Sequence, residues 1–141
     1  MSQDVALSRK QLVVEVPMVI SEITENSIYV GFFGSLDTAR MAEITDKVIH
    51  YCETVKVENI ILDLSNVDGI DSAVSNHLVK LAEVIELIGI NPMFCGLKGM
   101  VARTMVAAGV QLSRYETERN LKSALDLCYK REGLVLTEID A

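Results

Sequence analysis

The chain has no tryptophan, and aromatic residues make up only 5% of its 141 residues. Its core must therefore be assembled from Val, Ile, Leu, Met and Ala. The two prolines, Pro17 and Pro92, lie far apart, and no segment has the composition of a linker or a low-complexity tract. Cys52, Cys95 and Cys128 are odd in number, widely spaced and form no Cys-x-x-Cys pair. That excludes a disulfide framework and a zinc ribbon. The start, "MSQDVALSRKQLVVEVPMVI", has no basic region leading into a long apolar stretch. Together these features fit reduced thiols in a cytoplasmic protein. No run approaches the roughly 20 apolar residues of a membrane span.

Positive charge is also in deficit. Thirteen Lys and Arg face 20 Asp and Glu, for a net charge of −7. The basic residues are scattered, so the clustered patch that nucleic acid or an anionic membrane needs is missing. Hydrophobic residues make up 50% and charged residues 23%, as in an ordinary globular domain with one core.

Hydrophobic periodicity organises the chain. Residues 1–10 are polar and form a flexible arm, 11–132 form the domain, and 133–141 are a tail, "GLVLTEIDA", without a clear place. "QLVVEVPMVIS" (11–21) reads as a strand held at an edge or bend by Pro17. After the turn "TEN", "SIYVGFF" (27–33) completes a hairpin and is apolar on both faces. Met41, Ile44, Val48, Cys52 and Val55 mark a first helix. "NIILDL" (59–64) is a strand buried on both faces, followed by a loop, "SNVDGID". A second helix runs from about Ser72 to Ile88 on Val74, Leu78, Leu81, Ile85 and Ile88, and Gly89 stops it. "NPMFCGL" (91–97) is a strand, "KGMVARTMVAAG" a short helix, "SRYETE" a last short strand and "NLKSALDLCYK" a last helix. The expected fold is α/β: a mixed, mostly parallel sheet of four to five strands, an N-terminal hairpin and about four helices. Four helices leave part of the sheet uncovered, which points to self-association or assembly with related subunits.

Several chemistries lack their motifs. There is no Gly-x-Gly-x-x-Gly, no P-loop and no Gly-x-Ser-x-Gly elbow. His50 and His77 are the only histidines, and His77 falls about a turn and a half into the second helix, well to the side of Ser72. No cofactor and no metal are expected, and no catalytic residue is assigned. The sharp alternative is a Mg²⁺-dependent receiver-like domain using Asp63, Asp68 and Asp71. All three belong to one strand-loop segment, and Asp68-Gly69 is explained more cheaply as a turn.

Ser72 has two readings. Asp or Ser at a helix start caps free amides, worth about 1 kcal/mol against Ala. The same position tolerates an added phosphate, which would place ≈ −1.5 to −2 charge beside Asp68 and Asp71. The residues alone do not choose between them.

The segment "NIILDLSNVDGIDSAVSNHLVKLAEVIELIGINPMFCGLKGMVARTMVAAGV" resembles a STAS domain, the module of sulfate transporters and anti-sigma-factor antagonists. The resemblance covers about 12–130 and is most specific at 60–110. Within the family, "VDGIDSAVSNHLVKLAEVIELIG" and "VARTMVAAGV" are most similar to stressosome proteins of the RsbR and RsbS types. The resemblance implies a STAS fold and a non-catalytic scaffold or antagonist. It implies phosphorylation by a serine/threonine kinase at Ser72, with Thr104 matching a second phosphosite, and release of the kinase on phosphorylation. Thr104 is equally open to a packing role, bonded back to a carbonyl. The partner surface expected at the strand ends takes in Asp37, Asp68, Asp71, Ser72, Ser75 and Lys98, with Asp37 also suited to capping the first helix. Partners would be a serine/threonine kinase of the anti-sigma type and other STAS subunits. Lys98-Gly99 stands where the family pattern has a basic or polar residue followed by proline. Serine at 72 and the short arm favour the stand-alone RsbS-like role, whereas the helix after Ser72 resembles the scaffold type. A stand-alone antagonist that binds an anti-sigma kinase directly remains open beside both.

Overall fold

The computed structural model describes residues 16–140, so the expected arm and residues 11–15 of the first strand lie outside the described residues. Five strands form one sheet in the order β1 (Met18–Thr24), β2 (Ser27–Ser35), β3 (Asn59–Gly69), β4 (Asn91–Cys95) and β5 (Glu116–Glu118). β1 pairs antiparallel with β2, and the remaining pairs are parallel. The helices between them are α1 (Thr38–Thr54), α2 (Ser72–Leu87), α3 (Gly99–Ala107) and α4 (Leu121–Arg131). The expected mixed sheet, opening hairpin and four helices are all present.

The core follows the helical stripes. Met41, Ile44, Val48 and Cys52 of α1 and Val74, Leu78, Leu81 and Ile85 of α2 are buried. With Val101 and Met105 of α3 they cover one face of the sheet. Among the described residues, α4 is the one helix on the other face, setting Ala124 and Cys128 against Ile61, Met93 and Cys95. Val55, assigned to the first stripe, is only partly buried, because it follows the last turn of α1. α2 ends as its glycine requires: Gly89 has φ +90°, its amide donates to the Glu86 carbonyl, and the Ile90 amide donates to that of Ile85.

β3 departs from expectation. It does not stop at Leu64 but continues through the expected loop to Gly69. β2 supplies the partner: Phe33 pairs with Asn66, Gly34 with Val67 and Ser35 with Gly69. β4 accompanies β3 only to the Asp63–Cys95 pair, so the last six residues of β3 rest on β2. Asp68-Gly69 is therefore extended strand and not a tight turn. β4 in turn ends at Cys95, short of the expected Leu97, because Gly96 adopts φ +69°.

Among the described residues, no helix lies over the β1–β2 half of the α4 face. Val19 is 53% exposed and Phe33 44%. The tail is described as far as Asp140 and lies exposed, with Leu134, Val135, Leu136 and Ile139 all open to solvent.

Candidate functional site

Parallel strands β2, β3 and β4 all point their carboxyl ends the same way, and α1, α2 and α3 all begin there. Three connections meet at that end: Leu36–Asp37, Ile70–Asp71 and Gly96–Lys98. In open α/β sheets this is where functional groups collect.

At the start of α2 the cap is Asp71, not Ser72. An Asp71 carboxylate oxygen accepts the Val74 amide at 2.8 Å, and its carbonyl accepts the Ser75 amide at 3.0 Å. Ser72 is the first helical residue, is exposed, and its hydroxyl has no hydrogen-bond partner among the described residues. Asp68 and Asp71 are exposed on either side of Gly69-Ile70. The serine thus stands free on an acidic rim, at the positive end of a 16-residue helix.

Ser75 leaves the expected surface. It is fully buried and its hydroxyl donates to the Asp71 carbonyl at 3.0 Å. Asp37 caps α1 by accepting the Arg40 amide at 2.8 Å, and it also pairs with the Arg40 guanidinium at 3.5 Å. Lys98 is exposed and precedes α3 without a side-chain cap. Met100, which the sequence reading did not single out, is 65% exposed in the first turn of α3. Its signal was its place off the Val101/Met105 stripe. Thr104 is partly exposed one turn further on, and its hydroxyl donates to the Met100 carbonyl at 3.0 Å.

The aspartates of the receiver reading are not brought together. Asp63 is buried on the α4 face of the sheet. One of its oxygens accepts the Tyr29 hydroxyl at 2.6 Å, and the other accepts the Ser65 amide at 2.9 Å and the Ser65 hydroxyl. Asp71 is occupied in its cap. Among the described residues no group of three His, Cys, Asp or Glu side chains is arranged to hold a metal.

The Asp63 cluster lies against Gly96, in the connection from β4 to α3. Burial works to raise the Asp63 pKa, but hydrogen bonds from Ser65, Tyr29 and Cys95 outweigh it and hold the carboxyl below its ordinary value. The same contacts act on the donors. Burial and the neighbouring carboxylate raise the Tyr29 hydroxyl and push the Cys95 thiol up to about 12. Gly96 closes over this cluster: a Cβ there would fall 2.1 Å from the Ser65 hydroxyl oxygen. Only glycine lets the β4–α3 connection approach so closely.

The model of the STAS domain family matches residues 18–124. Among curated proteins, the chain is 26% identical over 119 residues to the RsbT co-antagonist protein RsbRB of Bacillus subtilis, covering 84% of this chain and 43% of that protein. It is 29% identical over 118 residues to RsbRD, another RsbT co-antagonist of the same organism, covering 84% and 42%. The chain thus spans less than half the length of these relatives. Among solved structures, a variant of RsbS from Moorella thermoacetica superposes with a TM-score of 0.73 at 22% identity, covering 83% of this chain and 98% of that one. At that identity the likeness is one of fold.

Proposed function

The chain belongs to the STAS domain family, and on that premise we propose that it is a non-catalytic regulatory subunit of a cytoplasmic, stressosome-type partner-switching pathway. It holds a serine/threonine kinase or related STAS subunits at the carboxyl end of its sheet and releases them when Ser72 is phosphorylated. The co-antagonist role in the relatives' names supports the pathway. One observation carries the switch: Asp71 supplies the cap, so the Ser72 hydroxyl is exposed and unengaged.

The geometry suits a switch acting on binding and not on folding. A phosphate at the first helical position faces the free amides and the positive end of the dipole. It adds ≈ −1.5 to −2 charge beside Asp68 and Asp71 and reverses none of the contacts that hold α2 in place. A partner surface fitted to a neutral serine between two carboxylates would lose its fit. Asp37, Lys98 and exposed Met100 extend that surface around Ser72. Thr104 is the secondary site, because its hydroxyl must first leave the Met100 carbonyl.

The test is a binding titration with the cognate kinase. Unmodified protein and Ser72→Ala bind alike, and Ser72→Asp weakens binding by about tenfold or more, a loss of ~1.4 kcal/mol. Equal affinity of all three would refute the reading.

A further inference from the structure

The end of α4 is a fixed chain reversal. Glu132, which follows the last helical residue, accepts the Thr24 hydroxyl and the Asn26 amide, and so ties this end of the helix to the β1–β2 turn. Gly133 comes next at φ +78°, and the Leu134 amide donates to the Tyr129 carbonyl at 2.8 Å. That bond, spanning six residues, is the mark of a Schellman cap. It turns the tail back along the helix it has just left. Leu134, Val135 and Leu136 form one wall of an open groove of ≈ 540 Å³. The other wall is α4 itself, with Lys122, Asp126, Leu127 and Lys130, and Glu118 lies just before that helix begins. The groove is not filled: Val135 is 73% exposed and Leu136 72%. Lys122 and Lys130 are exposed and make no ion pair among the described residues.

We propose that the tail is a strap that closes into this groove in its own chain, laying residues 134–138 along α4 with Glu138 ion-paired to Lys122. The register follows from the two rises. From Lys130 back to Lys122 the helix covers roughly 12 Å at ~1.5 Å per residue. From Leu134 to Glu138 an extended chain covers roughly 13 Å at ~3.3 Å per residue. The cap sets Leu134 close to the level of Lys130, so Glu138 arrives at Lys122. Asp126, the acid between the two lysines, then comes level with uncharged Leu136, and no like charges meet along the strap. Beyond Glu138 the match ends. Asp140 comes level with Glu118, and that repulsion keeps the last residues off the helix. Apolar contact of Leu134, Val135 and Leu136 with Leu127 holds the strap, and the ion pair fixes its register. An exposed pair is weak and is screened by salt, so ionic strength biases the strap between closed and open. Closed, it adds a layer over α4. Open, it presents Leu-Val-Leu to solvent beside two lysines.

Two experiments on the full chain test the strap at low salt. Backbone order parameters from ¹⁵N relaxation read it directly, and for residues 135–138 they approach the ~0.85 of rigid backbone. Lys122→Glu drops them below ~0.6, and Lys122→Glu combined with Glu138→Lys restores them. Cross-linking reads the register. Thr137 comes level with Ser123, so Ser123→Cys with Thr137→Cys closes an intramolecular disulfide under mild oxidation. Lys130→Cys with Thr137→Cys, about 10 Å apart along the helix in this register, does not. The native thiols are buried and stay out of the exchange. Should Lys122→Glu fail to fold, the disulfide pairs decide by themselves. Low order parameters in the parent chain overturn the proposal, and so do high ones indifferent to Lys122→Glu. Equal closure of the two cysteine pairs overturns it. So does a disulfide that joins two chains, which would assign the tail to a second copy.

Discussion

Asp71 accepts the amide of Val74 at 2.8 Å and thereby relieves its neighbour, Ser72, of any structural duty. The two adjacent residues divide capping from exposure. Asp71→Ala should cost about 1 kcal/mol of stability, whereas Ser72→Ala should stay within ~0.5 kcal/mol of the parent. Urea unfolding of the two variants checks this. A Ser72→Ala loss as large as that of Asp71→Ala would mean that the serine is the cap after all.

Ser72→Asp should fold with unchanged helix content, since a carboxylate in the first turn of α2 is favoured by the dipole by about 0.3–1 kcal/mol. The crowding of Asp68 and Asp71 offsets that gain, so the net shift in stability should be small. Thermal unfolding in low and high salt separates the two contributions, because only charge effects are screened.

Tyr29 and Asp63 come from adjacent strands and meet at 2.6 Å. Tyr29→Phe removes a hydrogen bond to a charged group and should cost about 1.5–3 kcal/mol at neutral pH. Its pH dependence has a definite sign. Asp63 titrates lower in the folded chain than in the unfolded one, so its contribution is present above the unfolded carboxylate pKa, near ~3.9, and is lost as pH falls through the folded value. The penalty of Tyr29→Phe should therefore shrink in acid. A penalty independent of pH would show that the hydroxyl packs without supporting the carboxylate.

Gly96→Ala should destabilise by about 2 kcal/mol or more. It combines a left-handed backbone with a Cβ driven into Ser65 and Asp63. Gly99→Ala, where nothing lies within 4 Å of the added carbon, is the control and should be close to neutral.

The thiols should be inert in the native chain. All three are buried, and burial raises Cys52 to about 11 and Cys95 to about 12. At pH 8 an alkylating reagent should label none of them until the chain is unfolded. The sign of the linkage is opposite to that of Asp63. These thiols favour the fold below the unfolded thiol pKa, near ~8.5, and stability declines as pH rises from there toward 11–12.

The helices were legible because helical period is a local property. Met41, Ile44, Val48 and Cys52, and likewise Val74, Leu78, Leu81 and Ile85, face inward as their spacing requires. The far half of β3 was not legible. Asp68-Gly69 is locally a turn signal, and only the length of β2, distant in sequence, extends that segment into strand. Ser75 misled for a related reason. It looked like a polar surface residue, but it lies beside Val74 on the inner side of α2, where its hydroxyl is satisfied by the carbonyl four residues back. The Tyr29–Asp63 contact spans thirty-four positions and depends on the β2–β3 register, which pairs Gly31 with Asp63. Ser72 itself was identified from the segment around it, and its freedom from the cap came only from the geometry of Asp71.

The most direct measurement is phosphopeptide mapping by mass spectrometry of the protein purified from its own stressed cells. The account predicts phosphate on Ser72, with Thr104 modified later or to a lesser extent. A chain that carries no phosphate on Ser72 under any stress, while still releasing its partner, would contradict it.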